Sequence, residues 1–457
     1  MLNGIKKIHL IGIGGSGMRA IANILILKGY EVTGSDITET DTIKRFRDMG
    51  ATIYIGQEAK HIDGADAVVR STAIREDNPE LVHARELGIP VLHRSDIVKA
   101  IIDSTKGIAV AGAHGKTTTT SMMGQILVEA QLDPTVIIGG EVDYLNGSST
   151  LGKGEYSVAE ADESDGSFLS LNPTAIIITN VENDHMDHYG TMDVLRKAFC
   201  DFVQKLPEDG VAVVCGDNDN LQMIMKTVTN RKFITYGLTD GNDYAAKNIH
   251  YEEGILNYDV YHEGESPVRL QLRVPGNHNV LNSLGAYIMS RHIGCSVEDI
   301  QRALSKFIGA KRRFETKGHK AGVWVVDDYA HHPTEIKATL KAAKALEKHR
   351  VICVFQPHRY TRTSLLLNEF ATAFEAADVL YITNLYSAGE DPIEGINGHS
   401  IPDAIKAATG KDVHYIDDVN NVPVILKAMV QPNDLVLTMG AGSINQYGPK
   451  LLDILEA

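Results

Sequence analysis

Cysteine is scarce in this sequence: Cys200, Cys215, Cys295 and Cys353 are scattered, and no two form a CxxC pair. That spacing disfavours a zinc knuckle and a disulfide framework alike, and points to buried thiols in a cytosolic protein. Long apolar runs are also missing. No stretch approaches the ~18 consecutive apolar residues of a membrane span. The Lys6–Lys7 pair is followed by glycines and a helical pattern where a signal-peptide cleavage site would stand, so no export signal and no membrane association are expected. Basic excess is absent too. With 44 Lys plus Arg against 59 Asp plus Glu, the net charge is −15 with His neutral, which argues against binding of nucleic acid or anionic membranes. Anionic ligands would need local cationic pockets. The chain has no repeat at periods of about 20–50 residues and no low-complexity tract, which excludes solenoids and compositional linkers.

What is present is ordinary globular usage over 457 residues, 43% hydrophobic and 23% charged, enough for about three domains of ~150 residues. From Lys6, apolar runs (IHLIGIG, YEVTGSD, ATIYIG, DAVVRS, IPVLH) alternate with helical stretches at Met18 to Leu27, Thr42 to Met49 and Ser95 to Thr105. That alternation predicts βαβ units around a parallel sheet, closing near Ser104. A second α/β run begins at GIAVAG, with a helix from Lys116 to Ala130, and continues through TVIIGG, YSVAEAD, TAIIITN and VAVVCGD. Between Tyr244 and Val274 short alternating strands suggest an antiparallel excursion. Helices follow at Val280 to His292 and Val297 to Phe307, and a hinge is placed at about Arg312. VWVVDDY, Thr334 to Lys348, RVICVFQP, Ser364 to Ala376, DVLYITN and DLVLTMGAGS repeat the pattern. The fold class is therefore α/β in three domains: 1–104, 105–312 and 313–457.

Two glycine-rich loops follow strands. Gly12, Gly14 and Gly17 form GxGxxG before a helix, with Asp36 ending the next strand. Such glycines let a pyrophosphate approach backbone N–H groups at a helix N-terminus, whether in a nicotinamide dinucleotide or a uridine diphosphate sugar. GAHGKTTTT, residues 112–120, departs from the strict Walker spacing because Val110 stands where its first glycine belongs. Its compact form still offers backbone N–H groups, Lys116 and the Thr117 hydroxyl to a metal–nucleotide phosphate.

Carboxylates gather at the next strand tip in VAEADESDGSF, where one or two of Glu160, Asp162, Glu163 and Asp165 would hold a hard cation and the others would be solvated. NVENDHMDHY adds His185, Asp187 and His188. The i, i+3 histidines could pair on zinc, but no third ligand is evident, and a His beside phosphate and metal suits the context better. Arg312 and Arg313 at the hinge are either a solvated basic linker or cations for phosphoryl transfer. DDYAHHPTEI and QPHRYTRT follow apolar strands, and the planar forks of Arg359 and Arg362 suit an amino-acid carboxylate.

In order, HLIGIGGSGM, GAHGKTTTT, EADESDGSF, NDHMDHY, GNHNVLNSLGA, DDYAHHPTE and QPHRYTRT resemble the Mur ligase family across essentially the whole chain. The resemblance implies a Rossmann-like N-terminal domain for a UDP-sugar, a central P-loop-type ATPase domain, and a C-terminal Rossmann-like domain for an amino acid. It implies ATP-dependent joining of L-alanine to the carboxylate of UDP-N-acetylmuramate through an acyl phosphate, in cytoplasmic peptidoglycan precursor synthesis, by a monomer or homodimer. Gly14, Gly15, Ser16 and Gly17 would then face the UDP diphosphate, with Asp36 near the nucleoside. Gly112, His114, Gly115, Lys116, Thr117 and Thr118 would bind ATP, together with Asn279, Asn282 and Arg313. Thr117, Glu160 and His185 would serve Mg²⁺. Tyr329, His332, Arg359 and Arg362 would serve L-alanine and the reacting carboxylate, and Lys116, His185, Arg313 and His332 form the implied catalytic set.

Two positions depart from relatives. Cys200 stands where ligases of later steps carry a carbamylated Lys, as in the L-alanine branch, and Ser443 stands where GAGDI would place Asp. The competing readings are a recycling ligase that adds a tripeptide to the same UDP-sugar, a nicotinamide dehydrogenase, and a nucleotide-binding regulator. The dehydrogenase leaves GAHGKTTTT and the carboxylate loops unexplained.

Overall fold

The computed structural model describes residues 2, 4–346 and 350–456. The last two residues of the predicted helix from Thr334 to Lys348, and the terminal residues Met1 and Ala457 of the first and third predicted domains, lie outside the described residues. Among the described residues the chain is mixed α/β with three sheets.

The first sheet has five parallel strands, ordered Thr52–Ile55, Glu31–Asp36, Lys7–Ile11, Ala67–Arg70 and Val91–His93. The order reverses beside the first strand. Its C-terminal end, where GxGxxG begins, is therefore the crevice in which doubly wound sheets bind ligands. Helix Ser16–Leu27 starts directly on that loop and buries Met18, Ile21, Ile24 and Leu25. A polar cluster interrupts the apolar packing of this domain. Glu80, fully buried, accepts a hydrogen bond from Ser35 at 2.6 Å and lies 2.9 Å from His61 Nδ1 and 3.4 Å from His9 Nε2.

The second sheet has ten strands. Its centre places Ala175–Ile178, Lys106–Ala111 and Tyr156–Glu160 side by side and parallel, so the loops after these three strands emerge together. Gly147–Thr150 closes one end, antiparallel to Thr135–Val142. At the other end Tyr244–Glu252 and Ile255–His262 are joined by Glu253 and Gly254, both at positive φ (52° and 79°), the backbone twist that tight hairpins favour.

The third sheet runs Glu315–Lys320, Val323–Asp328, Asp434–Met439, Arg350–Phe355, Val379–Thr383 and His414–Ile416, parallel except for the first edge strand. Alternate residues enter opposite cores. Val351, Cys353 and Phe355 pack on one face and Ile352 and Val354 on the other, which is why RVICVF reads as an unbroken apolar run.

By packing, the chain divides into two compact units. The first runs to Asn248 and includes Tyr258–Gln271 and Leu281–Phe307, so it holds the first sheet and most of the second. The second comprises Ile249–Asn257, Leu272–Val280 and the chain from Ile308 onward.

Most predicted elements lie within a few residues of their expected ends. Two differ. The expected helix from Ser364 to Ala376 is two short helices, Tyr360–Leu365 and Leu367–Phe370, because Leu366 leaves helical geometry (φ −116°) to enter the core. The helix expected from Val280 already begins at Asn277, so PGNHN is partly helical. Cys215, Cys295 and Cys353 are buried thiols, and Cys200 is half-buried.

Candidate functional site

The second glycine-rich loop, GAHGK, is built around two glycines at positive φ. Gly112 (φ +130°) and Gly115 (φ +86°) sit so tightly that an added Cβ would lie 2.2 Å from Thr179 Oγ1 and 2.4 Å from Asn282 Oδ1, respectively. Only glycine satisfies both the backbone and the space. His114 N–H donates to Asn180 Oδ1 at 2.9 Å, which ties the loop to the neighbouring strand end. Gly115 then caps helix Lys116–Glu129, whose first turn presents Thr117 and Thr118.

Lys116 Nζ donates to Gly112 O at 2.5 Å and to Glu163 Oε1 at 2.8 Å. Burial pulls its pKa down, but Glu163, Asp162 and Glu160 outweigh that and hold it above the ordinary lysine value. Thr117 Oγ1 donates to Glu160 Oε2 at 3.2 Å, and Glu160 Oε1 accepts from Gly139 N–H at 2.5 Å. His185, at φ +57°, lies 3.5 Å from Glu163 Oε1. Burial would lower its pKa, yet Glu163 and Asp184 raise it above the usual imidazole value.

The structure thus gathers Gly112, Gly115, Lys116, Thr117, Glu160, His185 and Asn282 around one strand-end crevice, and adds Glu163. His185 contacts Glu163 rather than Glu160. The Oε2 atom of Glu163 is buried without a hydrogen-bond partner among the described residues. A hydroxyl and two carboxylates are hard oxygen donors, which fits a small divalent cation. His188 turns elsewhere, against Gly166 and the edge of Tyr189.

At the first glycine loop, Gly14 N–H donates to Asp36 Oδ2 at 2.9 Å, and Gly15 precedes the helix that starts at Ser16. Gly14, Gly15, Ser16, Gly17 and Asp36 are therefore brought together. Arg94, beside Gly17, was not expected from the sequence.

The second unit supplies the other predicted residues. Arg312 and Arg313 both lie over the Tyr329 ring, with their guanidinium carbons 4.8 and 5.3 Å from its centroid. Arg313 also sits 3.6 Å from Glu335. Asp328 accepts N–H groups from Phe314 (2.8 Å) and Ala330 (2.7 Å), fixing the arginine pair to the strand end. Burial pushes its carboxyl up to about 6, against the pull of Arg313. His332 is the N-cap of helix Pro333–Ala345, its Nδ1 accepting from Thr334 N–H at 3.3 Å. Beyond the tip of strand Arg350–Phe355, Arg362 Nη1 meets His358 Nδ1 at 3.2 Å, and Arg359 (φ +72°) lies 3.8 Å from Glu390. Asn279 Nδ2 donates to Pro275 O at 2.7 Å. Ser443 Oγ accepts from Gln356 Nε2 at 3.4 Å.

A strand-to-helix glycine loop with a part-buried ammonium and a carboxylate cluster beside it is the type of crevice found in nucleotide-dependent α/β enzymes. Family models match in the same chain order: "Mur ligase family, catalytic domain" over residues 7–106, "Mur ligase middle domain" over 110–290, and "Mur ligase, glutamate ligase domain" over 312–442. The chain is 46% identical to the UDP-N-acetylmuramate–L-alanine ligase of Desulforamulus reducens, covering 99% of this chain and 98% of that protein. It is 47% identical to that of Solidesulfovibrio magneticus, covering 99% of each. Among solved structures, it is similar to the UDP-N-acetylmuramate-alanine ligase of Thermotoga maritima (TM-score 0.84, 31% identity, 98% of both chains). A murein peptide ligase from Psychrobacter arcticus matches at TM-score 0.74 and 26% identity, over 99% of this chain and 100% of that one. The chain belongs to the Mur ligase family, and it is an ATP-dependent, amide-forming ligase. Among the described residues no helix is long and apolar enough to cross a membrane.

Proposed function

We propose that this chain joins L-alanine to the lactyl carboxylate of UDP-N-acetylmuramate, giving UDP-N-acetylmuramoyl-L-alanine, ADP and phosphate in peptidoglycan precursor synthesis. The observation that carries the substrate pair is identity of 46–47% to L-alanine ligases over nearly the whole of both chains. The recycling reading rests on a likeness of 26% to a murein peptide ligase and is the second choice.

A carboxylate is a poor acyl donor at neutral pH. It takes the γ-phosphoryl group of ATP, and the amine of L-alanine attacks the resulting acyl phosphate. A tetrahedral intermediate then collapses to the amide and releases phosphate. Catalysis on this scheme is mostly positioning and charge neutralisation.

Gly112, His114, Gly115 and Thr118 cradle the ATP phosphates, Lys116 neutralises the β- and γ-phosphates, and Asn279 and Asn282 receive the adenine. Arg313 supplies further positive charge to the phosphates. Thr117, Glu160 and His185 would hold Mg²⁺, which would supply charge neutralisation when bound. The hydroxyl–carboxylate pair of Thr117 and Glu160 supports that assignment. Gly14, Gly15, Ser16, Gly17 and Asp36 bind the UDP moiety. Tyr329, His332, Arg359 and Arg362 bind L-alanine and the reacting carboxylate, with His332 positioned beside the reacting groups.

The domains are assigned as 1–104, 105–312 and 313–457, boundaries supported by family matches ending at 106 and resuming at 110 and 312. The protein works in the cytoplasm, where ATP and UDP-sugars are found, as a monomer or homodimer. Phosphate release from ATP and Mg²⁺ with UDP-N-acetylmuramate tests the reading. Release that requires L-alanine and yields a new amide is expected. Release that requires L-Ala-D-Glu-diaminopimelate instead moves the chain to recycling, and silence with both acceptors overturns the proposed substrate pair.

A further inference from the structure

Arg359 and Arg362, two of the residues assigned to the amino acid, stand at the N-cap of helix Tyr360–Leu365 and within it. Six residues make a helix that cannot hold itself, since isolated helices below about 12–15 residues are marginal in water. Arg359 supplies no side-chain cap, and its φ of +72° lies outside the regions that L-residues prefer. Where the two guanidinium groups point therefore depends on what grips the helix from outside.

The grip comes from the segment after strand Val379–Thr383. Tyr386 N–H donates to Pro357 O and Tyr386 O accepts Arg359 N–H, each at 2.9 Å, and the Tyr386 ring stacks on His358 with centroids 5.7 Å apart. The chain then turns sharply. Glu390 N–H donates to Ser387 O at 3.1 Å, with Ala388 and Gly389 between them at φ +53° and +84°. Positive φ at both central residues marks a type I′ turn, a geometry that alanine adopts against its steric preference.

That turn returns Glu390 to the helix. Its Oε2 accepts the Thr361 N–H at 3.1 Å, and its Oε1 accepts the Thr361 hydroxyl at 2.7 Å and stands 3.8 Å from Arg359 Nη1. One carboxylate thus supplies the cap that Arg359 does not, at the helix end where exposed N–H groups favour negative charge. Its hold on the arginine itself is loose. The Arg359 side chain keeps 44% of its exposure, so its planar fork stays open to a second carboxylate, that of a ligand.

We propose that Glu390 is a positioning residue for the amino-acid site: it caps the arginine-bearing helix through Thr361 and aims Arg359 and Arg362 at the acceptor's carboxylate without touching the acceptor. The inference rests on the proposed function, which places the amino acid at these arginines, and adds the residue that holds them there.

Initial rates of phosphate release by the full chain, with L-alanine, ATP and UDP-N-acetylmuramate varied in turn, test this. The variants are Glu390→Ala, Glu390→Gln, Thr361→Val and the Glu390→Ala/Thr361→Val pair, with urea midpoints measured alongside. Glu390→Ala is expected to raise KM for L-alanine about tenfold, the scale of one charge-assisted hydrogen bond, and to leave the other two KM values within about twofold of wild type. Glu390→Gln keeps a carbonyl oxygen for Thr361 and should recover part of the loss. Thr361→Val retains the backbone N–H and should raise the same KM less. Added to Glu390→Ala it should change nothing further, because both substitutions remove one shared interaction. An equal rise in all three KM values, or additive effects in the pair, marks a merely structural loop and overturns the proposal. Should Glu390→Ala not fold, an unchanged KM for L-alanine in both Glu390→Gln and Thr361→Val overturns it equally. Arg362→Lys, run in parallel, separates the two levels. If KM for L-alanine stays unchanged there, the placement of the amino acid fails and the proposal with it; a rise there with none in Glu390→Ala strikes the proposal alone.

Discussion

Glu163 Oε1 stands 2.8 Å from Lys116 Nζ, between the phosphate loop and the carboxylate loop. The ammonium is held charged at a strand end where ATP phosphates would meet it, and the neighbouring Glu163 Oε2 remains without a partner among the described residues. Charge neutralisation of the transferring phosphoryl group should therefore depend heavily on Lys116. Lys116→Ala is expected to lower kcat by at least ~10²-fold, as for comparable donors of charge stabilisation. Phosphate release measured beside a urea-unfolding curve checks it, and near-wild-type turnover in a folded variant removes Lys116 from the mechanism.

The third sheet offers a separable prediction. Burial, helped by Arg362 and Arg359, pulls His358 down to about 4, so its ring is neutral at pH 7 and Nδ1 can accept the Arg362 N–H at 3.2 Å. A neutral acceptor orients the guanidinium without competing for a carboxylate. Arg362→Lys loses the planar fork and should raise KM for L-alanine about tenfold, with KM for ATP little changed. Initial rates against each substrate separate the two; an equal rise in both would place Arg362 outside the amino-acid site.

How much of this was legible in the sequence varied with how local the signal was. Strands such as RVICVF, buried on both faces, carried their own apolar signature, and the glycine loops carried theirs through fixed spacing. Glu315–Lys320, reading ETKGHK, has no such pattern because it is an antiparallel edge strand with half-exposed residues, and it was not anticipated. Lys116 and Thr117 were recognisable from GKT. Of their partners, Glu160 was named with Thr117 through the family resemblance, but Glu163 was not singled out, because the acidic residues in EADESD look alike until the fold aims Glu163 at Lys116 and Asp162 at Arg94. Arg94 lies far along the chain from Gly17, and only the closing of the first sheet brings them together.

Gly112 allows a test of the loop's geometry. Its φ of +130° and the backbone N and O of Asn180, 3.0 and 2.9 Å from an added Cβ, leave no flexible neighbour to yield. Gly112→Ala should destabilise the protein by about 1–3 kcal/mol through overpacking and backbone strain. The shift in urea midpoint at constant m-value measures it, and an unchanged midpoint would mean that the loop relaxes freely.

The buried cluster of Glu80, His61 and His9 makes a prediction about pH. Burial would raise the Glu80 pKa, but hydrogen bonds from His9 and Ser35, the charge of His9 and a further bond from His61 outweigh it, so the folded pKa lies below the ordinary glutamate value. A carboxylate depressed in the folded state stabilises fully above its unfolded pKa of about 4.3, and that contribution is lost as pH falls through the folded value. Wild-type stability should therefore fall on acidification below about pH 4.3, and Glu80→Gln should flatten that part of the profile. At neutral pH the variant should be less stable by about 1–3 kcal/mol, because one of the two carboxylate acceptors shared by Ser35, His61 and His9 is lost inside the fold. Urea midpoints from pH 3 to 8 for both proteins decide it. Parallel profiles would show that Glu80 holds its helix, Pro79–Glu86, against the sheet by packing and not by charge.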